Sequence, residues 1–104
     1  MTYAVVWTDE ALRGLESIHA YLAAEVSVAR ADHVRATLIA KTRPLASAPL
    51  IYPLARRART SGFGYRTIPV WNYVIHYAVV DVEAVVDVEA VVAIAAVEHA
   101  HRDT

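Results

Sequence analysis

The chain contains no cysteine. Disulfides and thiolate-bound metals are therefore excluded. Lysine is almost absent, and Lys41 is the only one. The chain also lacks an excess of either charge, with a formal net charge of −1. That balance argues against holding nucleic acid through overall charge and leaves only a local patch for such a role. No apolar run reaches the length of a membrane span, and Val91–Val97 is strand-length. No charged-then-apolar leader opens the chain. These absences lead us to expect a soluble, cytoplasmic protein with no membrane partner.

What the chain does have is apolar mass. Hydrophobic residues make up 57 % of 104 positions. Much of this is alanine and valine, so the core is expected to use small side chains. At this length a single domain spanning 1–104 is the norm.

Thr2 to Trp7 reads as a first strand. Thr8 offers an N-cap oxygen, with Asp9 and Glu10 in the first turn, where the helix dipole favours negative charge. Ala11, Leu15, Ile18 and Leu22 follow at helical spacing, and this helix should end near Glu25. Ser27 is a second N-cap. Ala31, Val34, Leu38 and Leu45 continue a helical stripe, and Pro44 should end or kink that helix. A link of about two residues makes the two helices antiparallel neighbours. Ala48 to Ala55 holds Pro49 and Pro53 and reads as a loop.

The stretch from Ser61 to His76 reads as a hairpin: a strand, a turn at Trp71-Asn72, and a second strand of alternating aromatic and β-branched residues. Strands are expected at about Tyr65–Val70, Tyr73–Val80 and Val91–Glu98. Short links make consecutive strands antiparallel. The expected fold is α+β: an antiparallel sheet with an N-terminal helical hairpin packed on one face, in the order β-α-α-β-β-β.

Val-Val-Asp-Val-Glu-Ala occurs twice in tandem, at 79–84 and 85–90. Its even length preserves the side of a strand that each later residue faces. Asp81, Glu83, Asp87 and Glu89 would then share one face, and Val82, Val86 and Val88 the other. The segment reads as a lengthened, acidic-tipped hairpin. A bulged loop, a swapped edge strand and an engineered insertion are the alternatives. Carboxylates along a strand edge ordinarily keep that edge soluble rather than bind a metal.

Arg56, Arg57, Arg59 and Arg66 fall within eleven positions. A hairpin that begins in such a cluster is a candidate anion-facing surface. Arg66 alternates with Tyr65 and Thr67 and should share a side with Ile68 and Val70. An arginine among apolar neighbours is either paired with a carboxylate, such as Glu98 or one on the first helix, or aimed at an anion. His76 and Tyr77 are adjacent and so face opposite sides. His19 and His33 read as helix-surface residues. The closing Glu98-His99-Ala100-His101-Arg102-Asp103-Thr104 is either an exposed tail or a contact for an anionic partner, with His99 and Arg102 beside Arg66. Histidines two apart with no third ligand give no metal site. Metal-free RNA cleavage needs a base, an acid and phosphate-binding cations. Arg66, Arg102 and the Arg56–Arg59 cluster could supply the cations, and His99, His76 or Tyr77 the proton transfer, but no lysine stands near them.

The chain as a whole resembles the RelE/ParE superfamily of type II toxin–antitoxin toxins. The resemblance rests on Val5-Val6-Trp7-Thr8-Asp9-Glu10-Ala11, on Leu15-Glu16-Ser17-Ile18-His19-Ala20-Tyr21-Leu22 and on Gly64-Tyr65-Arg66. It continues through Tyr73-Val74-Ile75-His76-Tyr77 to His99-Ala100-His101-Arg102-Asp103. It implies a cognate antitoxin whose C-terminal segment wraps the toxin, and no cofactor. RelE-like members cut mRNA on the ribosome, and ParE-like members poison DNA gyrase. The pattern around Ile18 and Tyr21, the closing His-x-x-Arg-Asp, the scarce lysine and the tail without tyrosine look more like the ParE branch. That branch implies a growth-inhibiting gyrase binder, as in plasmid stabilisation. Its implied target-binding residues are Arg56, Arg57, Arg59, Arg66, His99, His101 and Arg102. Its implied antitoxin-binding residues are Leu15, Ile18, Leu22, Val34 and Leu38, in a homodimer or a toxin–antitoxin hetero-oligomer. A RelE-like ribonuclease with Arg66, His99 and Arg102 as catalytic groups is the runner-up. An inactive antitoxin-binding module is the third reading. The duplicated hexamer departs from the family pattern.

Overall fold

The computed structural model describes residues 3–54, 64–82 and 89–100. A strand β1 (Ala4–Trp7) leads into helices α1 (Asp9–Glu25) and α2 (Val28–Thr42), then a short 3₁₀ turn (Arg43–Ala46). Strands β2 (Tyr65–Val70), β3 (Tyr73–Val82) and β4 (Glu89–His99) complete the order.

Both helix starts follow from their caps. The Ala11 N–H donates to Thr8 Oγ1 at 3.1 Å, and the Arg30 N–H donates to Ser27 Oγ at 3.0 Å. Each satisfies one of the donors a helix leaves orphaned at its N-terminus. Pro44 lacks an N–H to continue α2 and sits in the 3₁₀ turn that follows it. Between the helices, His19 Nε2 lies 2.7 Å from Asp32, and Arg35 donates to Glu16 at 3.0 Å. These pairs are partly exposed and set register more than they stabilise.

The sheet order is β1-β4-β3-β2. Consecutive strands β2–β3 and β3–β4 are antiparallel, as expected, but β1 runs parallel to β4. The sheet is therefore mixed rather than wholly antiparallel. The cause is the meander: two reversals make β4 run the same way as β2. The short-link argument governs only strands adjacent in sequence. β1 reaches β4 through a connection long enough for a parallel pair. The edges are blunted, because β1 has four residues and β2 carries Pro69.

The register Tyr77↔Ile94 followed by His76↔Ala96 leaves Ala95 unopposed, a bulge in β4. It shifts the alternation, so Ile94 and Val97 are both buried although three residues apart. Thr8 anchors α1 at this point, donating through Oγ1 to the Ile94 carbonyl at 2.9 Å. Leu15, Val34, Leu38, Leu45, Ile68, Ile75, Tyr77, Val92 and Ile94 fill the space between the helices and the sheet.

Val79 pairs with Val92 and Val82 with Glu89, so β3 and β4 run on past the start of β2 at Tyr65. Residues 83–88, and the facing of the carboxylates and valines at 81–90, lie outside the described residues and side chains. The register still makes a prediction. Deleting residues 85–90 keeps Val79↔Val92 and Val80↔Val91 and joins them through Asp81–Ala84, four residues that suit a hairpin. The shortened chain is expected to keep its circular dichroism spectrum and melt within a few degrees of the parent. A collapse of the melting transition would mean that the second copy carries part of the fold.

Candidate target-binding cleft

A cleft lies where α1 crosses the ends of β3 and β4. Gly14 sets the approach. A Cβ built there would stand 2.5 Å from the Val97 carbonyl oxygen, closer than real Cβ atoms come. The bare backbone lets α1 lie directly on β4. Beyond the contact a cleft of about 370 Å³ opens, walled by Ser17, Ile18 and Tyr21 of α1, Tyr73 of β3, and Glu98 and His99 of β4. Tyr73 and His99 meet edge to face, with ring centroids 5.5 Å apart. Tyr21 is 65 % exposed at its rim. The walls offer two phenols, a hydroxyl and an imidazole around an apolar floor. That suits a peptide side chain better than a phosphate.

Beside the cleft is the β2–β3 turn. Trp71 has φ 53° and is the one non-glycine residue with positive φ among the described residues. Glycine is favoured where the first turn position takes positive φ, and a bulky L-residue there costs about 1–2 kcal/mol. The indole nevertheless stays 56 % exposed. The Arg30 guanidinium lies 5.5 Å from its centroid and the His33 ring 5.9 Å away. An exposed cation–π contact returns only about 0.5–1 kcal/mol. Ala100 closes the turn by donating its N–H to the Asn72 carbonyl at 2.6 Å.

Arg66 occupies the other end of the sheet. It shares the core side with Ile68 and Val70, as expected, but among the described residues it is not paired with a carboxylate, and it is not aimed into open solvent. Its Nη1 donates to the Tyr52 carbonyl at 2.6 Å. Next to it the Tyr77 hydroxyl donates to the Pro49 carbonyl at 2.7 Å. Burial pushes the Tyr77 phenol above its ordinary pKa of 10.0, against the smaller opposing pulls of the Tyr52 backbone and the Arg66 charge. Arg66 thus clamps the loop after the 3₁₀ turn onto the sheet.

Arg66 and His99 do not meet. Arg66 pairs with Tyr77, whereas His99 pairs with Tyr73 four residues along β3 and one strand further across the sheet. Strand rise and spacing put their Cα atoms roughly 16 Å apart. His76 points to the opposite face, 3.3 Å from Glu98. Tyr77 is fully buried. Among the described residues, the expected nuclease groups are dispersed. Arg56, Arg57, Arg59, His101 and Arg102 lie outside the described residues.

Most of the expected antitoxin-binding stripe is turned inward. Leu15, Leu22, Val34 and Leu38 are at most 9 % exposed, because the stripe that makes a helix amphipathic is the one it turns to its own core. Only Ile18 reaches the cleft. Among the described residues, the exposed aliphatic side chains on and after the helical hairpin are instead Leu12, Val26, Val28, Leu50, Ile51 and Leu54. Sequence reasoning took Trp71 only as a turn residue and passed over Gly14. A large aromatic at a turn position where glycine is preferred was the available signal for Trp71.

Comparison with protein families matches residues 5–104 to the ParE toxin of type II toxin-antitoxin system, parDE. The chain belongs to the ParE toxin family. Among solved structures it is similar to a chain of the chromosomal ParDE TA system from P. aeruginosa. The TM-score is 0.69 at 14 % identity, over 94 % of this chain and 96 % of that one. At that identity the likeness shows the fold of the ParE family members and nothing finer. No curated protein matches the chain. Membership of a toxin–antitoxin family implies an antitoxin partner for this ParE-family chain. Among the described residues no helix is long and apolar enough to cross a membrane.

Proposed function

We propose that this ParE-family chain inhibits DNA gyrase by binding it, without catalysis of its own, and that a cognate antitoxin neutralises it. The dispersal of the proton-transfer groups carries this reading. Arg66 is spent on the Tyr52 carbonyl, Tyr77 is buried, and His76 faces away from both. A ribonuclease would need an acid, a base and a cation on one phosphate. The cleft walled by Ile18, Tyr21, Tyr73 and His99 is a recognition surface instead. The antitoxin covers the uncharged apolar residues Leu12, Val26, Val28, Leu50, Ile51 and Leu54, which leave the isolated toxin prone to self-association. The reading carries a cytoplasmic location with it, where gyrase meets the chromosome.

The test is a supercoiling assay with purified toxin. Saturating toxin should block supercoiling or trap cleaved DNA, and added antitoxin should restore the reaction. Unchanged supercoiling together with cleavage of mRNA on translating ribosomes would replace this reading with the ribonuclease one.

A further inference from the structure

We infer that the Trp71 turn is the epitope through which this chain grips an acidic segment of its target protein, with Arg30 as the charge that orients that segment. The inference rests on the gyrase-binding reading and names the contact within it. Three observations converge. First, the indole is 56 % exposed and sits at positive φ, in a seat where glycine is the more comfortable residue. The fold gains little from it there. Second, Arg30 and His33 stand three residues apart on one face of α2 and approach the indole from that side. The rest of the ring is left for a partner. Third, Arg30 makes no ion pair among the described residues, whereas Arg35, five residues further along α2, is held by Glu16 and Asp32. A cation without a carboxylate, pressed on an exposed tryptophan, is the pairing from which interface hot spots are built.

Charge and composition select the partner. One guanidinium beside one ring is too little for a nucleic-acid track, which needs a groove of cations with successive stacking rings. The net charge of −1 gives no broad field to help. An acidic peptide segment needs only one well-placed cation and one apolar anchor. The antitoxin is better served by the uncharged residues Leu50, Ile51 and Leu54, since permanent interfaces are the more apolar ones. A tryptophan rimmed by Arg30 and His33 suits a partner that is met and released, which is the target.

Three measurements on Trp71→Gly and Arg30→Glu decide it: melting temperature, antitoxin affinity and inhibition of gyrase supercoiling. Trp71→Gly should fold and bind antitoxin within about twofold of the parent while inhibiting gyrase about tenfold less or weaker still. Arg30→Glu, a surface change that the fold tolerates, should lose inhibition similarly. It decides the matter alone if the glycine variant is unstable. Inhibition at parental strength in the folded variants overturns the epitope and leaves the gyrase reading standing. Lost antitoxin affinity with retained inhibition also overturns it, since the turn would then serve the antitoxin. Single-stranded oligonucleotide quenching the Trp71 fluorescence at the concentrations that inhibit gyrase would make the turn a stacking platform and overturn it. A parent protein that leaves supercoiling untouched removes the gyrase reading, and the named target with it.

Discussion

Gly14→Val is expected to cost the domain about 3 kcal/mol, at the upper end of ordinary overpacking. In a domain of this size that lowers the melting temperature by on the order of 15 °C. The reason is local and steric. The first added carbon already stands 2.5 Å from the Val97 carbonyl oxygen, and that oxygen belongs to the backbone of a central strand. A side chain could rotate away; a strand paired on its other edge with β3 cannot. Helix α1 must lift instead, and it carries Thr8, Leu15 and the cleft wall with it. Gly14→Ala is the sharper test. Alanine should gain about 1 kcal/mol of helix propensity over glycine, so a net loss can come only from the contact with β4. An alanine variant that melts at or above the parent temperature would show that α1 and β4 are not so closely apposed.

Tyr77→Phe should produce the second large effect. The phenol is fully buried and donates to the Pro49 carbonyl, itself in a buried residue. Phenylalanine fills the same volume and leaves that acceptor without its donor, at a cost of about 1–3 kcal/mol. The same side chain predicts a pH signature. Its pKa in the folded state lies above the ordinary 10.0, first because burial disfavours the phenolate. The folded protein therefore binds more protons than the unfolded chain once pH exceeds that ordinary value. Tyr77 contributes its full share of stability below pH 10 and loses it as pH rises toward the folded pKa. Denaturant titrations between neutral pH and pH 11 should show the parent losing stability faster than the Phe variant above pH 10. Parallel curves for the two proteins would show that the phenol ionises as freely in the fold as outside it.

Much of this fold is legible locally. Thr8 and Ser27 announce the helix starts because a side-chain oxygen can reach a backbone N–H three residues on, whatever else the chain does. The strand β3 falls where aromatic and β-branched residues alternate directly after the Trp71-Asn72 turn. The candidate site was less legible. Arg66 is expected on the side of Ile68 and Val70, and it lies there, but with neither expected kind of partner among the described residues. Its partner, a carbonyl of the loop after the helices, has no residue-type signature, since every residue carries one. The helical stripe of Leu15, Leu22, Val34 and Leu38 was visible as apolar, but apolarity does not say whether a face meets a partner or the chain's own sheet. Trp71 and Gly14 owe their importance to a dihedral angle and to one interatomic distance.

The sequence by itself determined two capped helices and a three-strand meander, because capping, periodicity and turn chemistry act between near neighbours, and its motifs carried a resemblance to the RelE/ParE superfamily. Only the tertiary structure decided that β1 runs parallel to β4, that a bulge at Ala95 buries both Ile94 and Val97, and that Arg66 and His99 stand at opposite ends of the sheet. Those outcomes depend on how far the helical hairpin carries the chain across the sheet and on where α1 comes to rest on it. Both are set by packing between residues distant in sequence.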